Sequence, residues 1–321
     1  MKSPAATTKT AKPRSKLYTF IRQRRIDRNW PLYVMLIPVV VYFALFCYAP
    51  MYGITLAFKD YKVRAGIMGS PWADPWYTYF QEYFQSPYFG RVVPNTIIIS
   101  LQSLIFCFPL PILLALSLNE VRSTGFKKFV QNVTYIPHFL SVLVLVGMLK
   151  SFTNSDYGIV NLVINAMGGE GKNWMQEASL FRPLYVGSAV WQNMGWDAII
   201  YIAALAGIDP GLHEAAMIDG ANRLQRIWHI NIPGILPTMV ILLILNAGNI
   251  MNVGFEKIFL MQNDLNMNVS DVISTYAYRI GIESAQYSLS TTISLFNSVI
   301  NCILLFIVNG IARKLSDTSL W

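Results

Sequence analysis

Charge is what this sequence has least of. Only 13% of its 321 residues are Asp, Glu, Lys or Arg, while 54% are hydrophobic; a soluble domain carries about 25% charged residues. That scarcity excludes an ordinary soluble fold. Histidine and cysteine are equally sparse, with three of each. His138, His213 and His229 are scattered, and no His/Asp/Glu cluster stands at ligand spacing on one helix, which excludes a recognisable metal centre. Cys47, Cys107 and Cys302 all fall in apolar stretches, at spacings that suggest neither a disulfide nor a metal site. They read as buried small hydrophobes. No serine sits in a nucleophile elbow. The run Gly168-Gly169-Glu170-Gly171-Lys172-Asn173 is not a phosphate loop, because Ala166 stands where the first Gly is required and Asn173 where Ser or Thr is required. A bound nucleotide, a metal and covalent catalysis are thus all without a sequence signal.

What the chain has instead is long apolar runs. A helix needs about 20 mostly apolar residues to cross the hydrocarbon of a bilayer, and six segments qualify: 32–58, 94–118, 129–151, 184–207, 234–255 and 290–312. The first is too long for a signal-peptide core and lacks a small-residue cleavage site after it, so it reads as a retained span. The third and fourth are weaker, holding Lys150 and Asp197. The fold class expected is an all-α membrane protein with six transmembrane helices.

The net charge of +8 is unevenly placed. Nine of the 25 basic residues lie between Lys2 and Arg28, opposed only by Asp27. Positive charge resists translocation, so a basic head before a hydrophobic helix marks a cytoplasmic N-terminus. Adding Arg122, Lys127, Lys128, Arg223, Arg226, Arg313 and Lys314 gives 16 basic residues on the N-terminal side of the membrane, against eight in the opposite loops. Both termini are therefore expected in the cytoplasm. The same asymmetry accounts for the basic tail without nucleic acid. Residues 1–16 have little to bury and read as a disordered tail, and Leu17–Arg28 suits a short helix on the membrane surface. The division expected is a basic tail over 1–29, a first transmembrane helix and outer loop over 30–93, and a five-helix core over 94–315.

Between the fourth and fifth spans, residues 208–233 are unusually ordered for a loop. Asp209-Pro210 offers a helix cap followed by Pro at the first helical position. Leu212, Ala215, Ala216 and Ile218 can form a small apolar surface, with Glu214 and Asp219 exposed. Gly220 suits the break that ends this helix, Ala221–His229 reads as a second short helix, and Pro233 starts the next span. Two short helices at an angle make a compact knob, and a rigid knob can transmit force into a socket.

Glu214-Ala215-Ala216, Gly220 and Ile230-x-Ile232-Pro233 resemble the EAA motif of the permease subunits of type I ATP-binding-cassette importers, with Ile232 where the family usually has Leu. The resemblance covers roughly residues 30–315. Asn95-Thr96, Tyr135-Ile136-Pro137-His138, Ala203-Ala204-Leu205, Gly254-Phe255-Glu256, Asp271-Val272-Ile273 and Tyr278-Arg279 are similar to the carbohydrate branch, and within it to permeases for complex oligosaccharides and polysaccharides. The resemblance implies the type I importer permease fold and a bacterial inner-membrane location. It implies that Glu214, Ala215, Ala216, Asp219, Gly220, Ile230 and Pro233 form a cytoplasmic coupling helix docking on an ATPase. The implied partners are a second permease subunit, two ATPase subunits and an extracytoplasmic solute-binding protein. No cofactor is expected on this chain, with ATP-Mg used by the partner ATPase, and the chain itself is expected to be non-catalytic.

Polar groups inside spans are costly and face a path, a cavity or a partner helix. Asn193 and Asp197 share one face of the fourth span, and Asn246 and Asn249 one face of the fifth. They either line a passage for a hydroxyl-rich solute or hydrogen-bond between helices. A rival class is an ion-coupled secondary transporter using Asp197, although no repeat links the two halves. The aromatic loop 72–89 offers rings for stacking on sugars, or for anchoring at the membrane interface.

Overall fold

The computed structural model of the chain describes residues 26–315. The tail of residues 1–16 and the expected surface helix Leu17–Arg28 lie outside the described residues, apart from Ile26–Arg28, which open the first helix. The chain divides into two compact units, one up to Thr55 and one from Leu56. Among the described residues there are helices and no strand; a single isolated bridge pairs Lys59 with Trp72.

The first unit is built on α1, Ile26–Tyr42, which continues through a π turn, Phe43–Tyr48, and into a 3-10 turn, Tyr52–Phe58. Pro50 has no N–H to give the carbonyl four residues back. The ladder re-registers just before it, with Ala49 N–H reaching Ala44 O. Trp30–Phe58 is apolar over 29 residues, enough to cross a bilayer.

After a short turn of helix at Gly66–Gly69, the first longer helix of the second unit is α2, Thr78–Gln85. Its Tyr83 is buried against Phe89 and Phe296, with ring centroids 5.1 and 5.5 Å away. Burial, with Tyr276 adding to it, pushes the Tyr83 phenol well above its usual range. Next come α3, Phe89–Cys107, and α4, Pro109–Glu120, one apolar stretch of 32 residues interrupted at Phe108. The third expected span is not a single helix. α5, Thr124–Tyr135, passes through a 3-10 turn at Ile136–Phe139 into α6, Val142–Phe152, with a bend of 101°. The sequence explains the corner: Pro137 disfavours a continuous helix, Leu140 is extended, and Ser141 restarts the ladder by accepting from Val144 N at 3.3 Å. After α7, Ile159–Ala166, the central helix α8 runs over 29 residues, Ala178–Ala206, roughly 43 Å at 1.5 Å per residue. It packs against α3, α4 and α5.

The fifth expected span is also shorter than the apolar run. A short helix α10, Arg223–Arg226, leads through a π turn into α11, Ile232–Ala247, and the chain then leaves the helix before α12, Phe255–Met261. Gly248 and Gly254 weaken the ladder here, and asparagine amides replace it: Met251 N donates to Asn301 Oδ1 at 3.0 Å. α13, Ile273–Tyr278, and the 29-residue α14, Tyr287–Leu315, complete the unit. By length and composition, four described helices can cross a membrane, or five if the bent pair is one span; α8 is long enough but less apolar. Cys47 and Cys302 are exposed rather than buried, and Cys107 is only partly covered. Apolar spans turn one face away from their own chain, so an apolar neighbourhood in sequence does not guarantee burial within it.

Candidate functional site

Two regions gather the residues that the sequence singles out. The first is the knob between α8 and α11. α9, Pro210–Ile218, is capped by Asp209, whose Oδ1 accepts from Gly211 N at 2.9 Å. It ends where Gly220 takes φ +80°, a left-handed turn that Gly adopts without strain. Ala221 N closes that turn onto Ala216 O at 2.8 Å. The second helix is shorter than Ala221–His229. Ala221 and Asn222 stay outside it because Asn222 caps it: Asn222 Oδ1 accepts from Gln225 N at 2.9 Å, and Gln225 Oε1 accepts from Asn222 N at 2.7 Å. Pro233 does not start a separate span but lies in the first turn of α11, directly continuous with the π turn Ile227–Asn231.

The knob is apolar and uncovered. Ile218 is 87% and Trp228 64% exposed, with Leu212, Met217 and Leu224 also exposed. Glu214, Ala215, Asp219 and Gly220 are exposed as well, Ala216 and Ile230 half-buried. An exposed cluster of large apolar side chains marks a contact surface. The knob is braced from behind by Arg226 Nη2, 3.9 Å from Glu120 Oε2 at the end of α4.

The second region is an open cavity of about 410 Å³ lined by α3, α8, α11 and the stretch that follows α11. Asp197, Asn246 and Asn249 all line it. Asn193 does not. Its Oδ1 lies 3.0 Å from His138 Nδ1, and its amide donates to Ala189 O at 3.2 Å. Ser100, Ser103, Tyr185, Tyr201 and Asn252 join the lining, which makes the wall rich in hydroxyls and amides, groups that can both donate and accept. Sequence reading missed these because single Ser, Tyr and Asn residues are common in apolar helices. The signal available was spacing: Asn252 continues the three-residue step from Asn246 and Asn249. From α14, Asn297 and Asn301 donate to Asn252 Oδ1 at 2.8 and 3.1 Å and so hold the unwound stretch against the bundle.

A third cluster was visible only as a motif. Asp271 is fully buried and accepts from Arg91 Nη2 at 2.6 Å and from Arg279 Nη2 at 2.8 Å. Asn95 donates to Asp271 O at 3.0 Å and accepts from Arg182 Nη2 at 2.9 Å. Thr96 Oγ1 accepts from Ile273 N at 3.0 Å. This network ties α3, α8 and the segment before α13 together. In the aromatic loop, Trp72 and Trp76 remain exposed, and the Lys59 ammonium lies 5.1 Å from the Trp72 ring centroid. Among the described residues no group of His, Cys, Asp or Glu is placed to hold a metal ion.

Comparison with known proteins agrees with this architecture. Residues 108–317 match the family model of the binding-protein-dependent transport system inner membrane component. The chain is 42% identical over 296 residues to protein LplB of Bacillus subtilis (strain 168), covering 92% of each. It is 41% identical over 290 residues to the polygalacturonan/rhamnogalacturonan transport system permease protein YteP of the same organism, covering 90% of each. A solved structure of a bacterial alginate ABC transporter, in complex with alginate pentasaccharide-bound periplasmic protein, superposes with a TM-score of 0.85 at 38% identity, over 92% of this chain and 99% of that one.

Proposed function

The chain belongs to the family of binding-protein-dependent transport system inner membrane components, and from that premise we propose that it carries an oligosaccharide or polysaccharide fragment inward through the cavity beside Asp197 while the knob at Glu214–Gly220 docks on a separate ATPase. As a member of that family it is the permease component of an ATP-binding-cassette importer. An ion-coupled carrier working through Asp197 is not supported, because the family works with a binding protein.

The observation that carries the coupling assignment is the uncovered apolar face of α9, α10 and the π turn that follows, led by Ile218 and Trp228. Such a face gains by burial against a partner, and the short ordered turn at Gly220 suits a rigid body that moves as one piece. The sugar reading draws on the hydroxyl- and amide-lined cavity and on relatives named for polygalacturonan and alginate transport. The further partners proposed are a second permease chain, two ATPase subunits that use ATP-Mg, and a solute-binding protein on the opposite side. Both termini are proposed to lie in the cytoplasm, with the chain itself making no covalent bond. Closure of the ATPases would draw the knobs together and open the cavity outward; hydrolysis would reset it.

The test is ATP hydrolysis stimulated by the loaded binding protein in reconstituted vesicles, beside co-purification of the ATPase. Glu214→Ala with Gly220→Val removes an exposed charge and forces a branched side chain into a left-handed turn, at about 1–3 kcal/mol of local strain. Insertion should persist while stimulation and uptake fail. Normal stimulation and uptake would refute the coupling assignment.

A further inference from the structure

Two apolar grooves meet on α8 at Gly187. The first, about 370 Å³, runs between Gln102, Phe106 and Leu110 of α3 and α4 and Arg182, Val186 and Val190 of α8. The second, about 270 Å³, lies between α6, at Leu145, Leu149 and Phe152, and α8, at Leu184 and Trp191. Pro183 and Gly187 line both grooves. Both residues are exposed, and a Cβ on Gly187 would meet nothing within 4 Å. A bare glycine and a proline ring thus keep the ridge between the grooves low. Neither groove shares a lining residue with the cavity beside Asp197.

The first groove has a polar end and an apolar end. The α3–α4 stretch and α8 run in the same direction: Asn95 meets Arg182 near their starts, and Ile112 and Leu116 share a core with Ala198 and Tyr201 farther on. The groove therefore opens with Gln102 and Arg182 and closes on Leu110 and Val190. From Arg182 to Val190 is about 12 Å of helix, close to the roughly 15 Å that one leaflet contributes to the hydrocarbon core. The polar end is short of partners. Arg182 Nη2 donates to Asn95 Oδ1 at 2.9 Å, but Arg182 is in none of the ion pairs within 4 Å among the described residues. Arg182 Nε and Gln102 Oε1 are covered and have no hydrogen-bond partner. Asn95 also donates to the backbone of Asp271, whose carboxylate Arg91 and Arg279 share. This network holds three guanidinium groups and one carboxylate, so positive charge is in excess.

A protein helix laid on this face would be a single cylinder. It would have two separate grooves to fill, and an apolar helix would leave the Arg182 end uncompensated. A molecule with one anionic head and two apolar tails meets all three features. We propose that this face of α8 is a binding site for a two-chain anionic phospholipid, with its phosphate at Arg182 and one acyl chain in each groove, straddling the helix at Gly187. Basic pockets between spanning helices recognise anionic head groups, and an Arg–phosphate contact is a charge-assisted hydrogen bond. Bound there, the lipid fills the gaps that α8 leaves against α3 on one side and α6 on the other.

The experiment takes the complete permease–ATPase complex, delipidated in detergent, and counts bound lipid by native mass spectrometry. The probes are palmitoyl-oleoyl-phosphatidylglycerol, the phosphatidylethanolamine with the same chains, and single-chain lyso-phosphatidylglycerol. The wild type should hold phosphatidylglycerol roughly fivefold more tightly than phosphatidylethanolamine, the pull of one basic residue on an anionic lipid, and more tightly than the single-chain form. Arg182→Gln keeps a donor for Asn95 and should bring the two diacyl lipids to equal affinity. Gly187→Leu raises the ridge and should weaken both diacyl lipids while sparing the single-chain one. A phosphatidylglycerol with a diazirine in one chain should label residues 102–110, 145–152 or 183–191. No head-group preference in the wild type, or no response to either variant, would overturn the proposal. So would labelling that avoids these segments, whether the lipid sits elsewhere or the second permease chain covers them.

Discussion

Arg226 and Glu120 join the knob to the end of α4, with Nη2 and Oε2 3.9 Å apart and both side chains mostly covered. This is the ion pair that links the segment after Gly220 to another helix among the described residues. A pair at that distance contributes under about 1 kcal/mol to stability. Its value lies in register, because the knob can transmit motion only if its base does not slip. Glu120→Gln should leave the melting temperature within a few degrees and lower the solute imported per ATP hydrolysed. An unchanged transport-to-hydrolysis ratio would remove the brace from the mechanism.

Two glycines of α8 should respond oppositely to the same substitution. A Cβ on Gly195 would lie 2.7 Å from Thr134 Cβ and closer still to the Thr134 carbonyl oxygen, so α8 and α5 could not keep their approach. Gly195→Ala should cost about 1–3 kcal/mol. A Cβ on Gly187 meets nothing within 4 Å, and Gly187→Ala should be neutral or gain about 0.5–1 kcal/mol of helix stability. Thermal unfolding of the purified complex separates them. Equal melting temperatures would mean that the close approach at Thr134 is not part of the folded state.

The knob and most of the apolar helices were legible in the sequence because their signals are local. Asp209-Pro210 caps, Gly220 turns, and an apolar run declares its own length. The bend between α5 and α6 was less legible, since an apolar run reads the same whether or not Pro137 and Ser141 break it. The unwound stretch after Ala247 had the same problem. Its backbone is held by Asn301, 50 residues away from Met251, and no local pattern announces that. Of four polar residues proposed for the path, helical periodicity put Asn193 and Asp197 on one face, yet the corner at Pro137 brings His138 into hydrogen-bond distance of Asn193, while Asp197 lines the cavity. Tertiary contact, not spacing, separates them.

Asp271 should be the most sensitive carboxylate outside the knob. It is fully buried, and two guanidinium groups converge on it. Asp271→Asn keeps the shape but leaves Arg91 and Arg279 facing each other without a counter-charge, a loss of about 3–5 kcal/mol by analogy with broken buried pairs. The expected result is low yield and a lower melting temperature in detergent, partly rescued when Arg279→Gln is added. Full stability of the single variant would show that water, not Asp271, satisfies the two arginines.

Asp197 and Asn193, four residues apart on α8, should differ in what their loss affects. Asn193 lies against His138, and the His138 ring stacks on Trp196 with centroids 4.4 Å apart and planes 6° from parallel. These contacts hold the corner after α5 onto α8. Asn193→Leu should therefore strand His138 and cost about 1–3 kcal/mol, while the half-saturating solute concentration for uptake stays where it was. Asp197 instead lines the cavity and makes no ion pair within 4 Å among the described residues. Asp197→Asn keeps its volume and some hydrogen-bonding capacity but removes the charge. It should leave the melting temperature unchanged and shift the half-saturating concentration or maximal rate of uptake severalfold, because a charge inside a membrane-spanning bundle acts strongly on what passes it. The paired measurements are thermal unfolding and uptake kinetics in the same vesicles. If Asp197→Asn lowers stability without touching uptake, and Asn193→Leu does the reverse, the cavity beside Asp197 is a structural void and the path runs elsewhere.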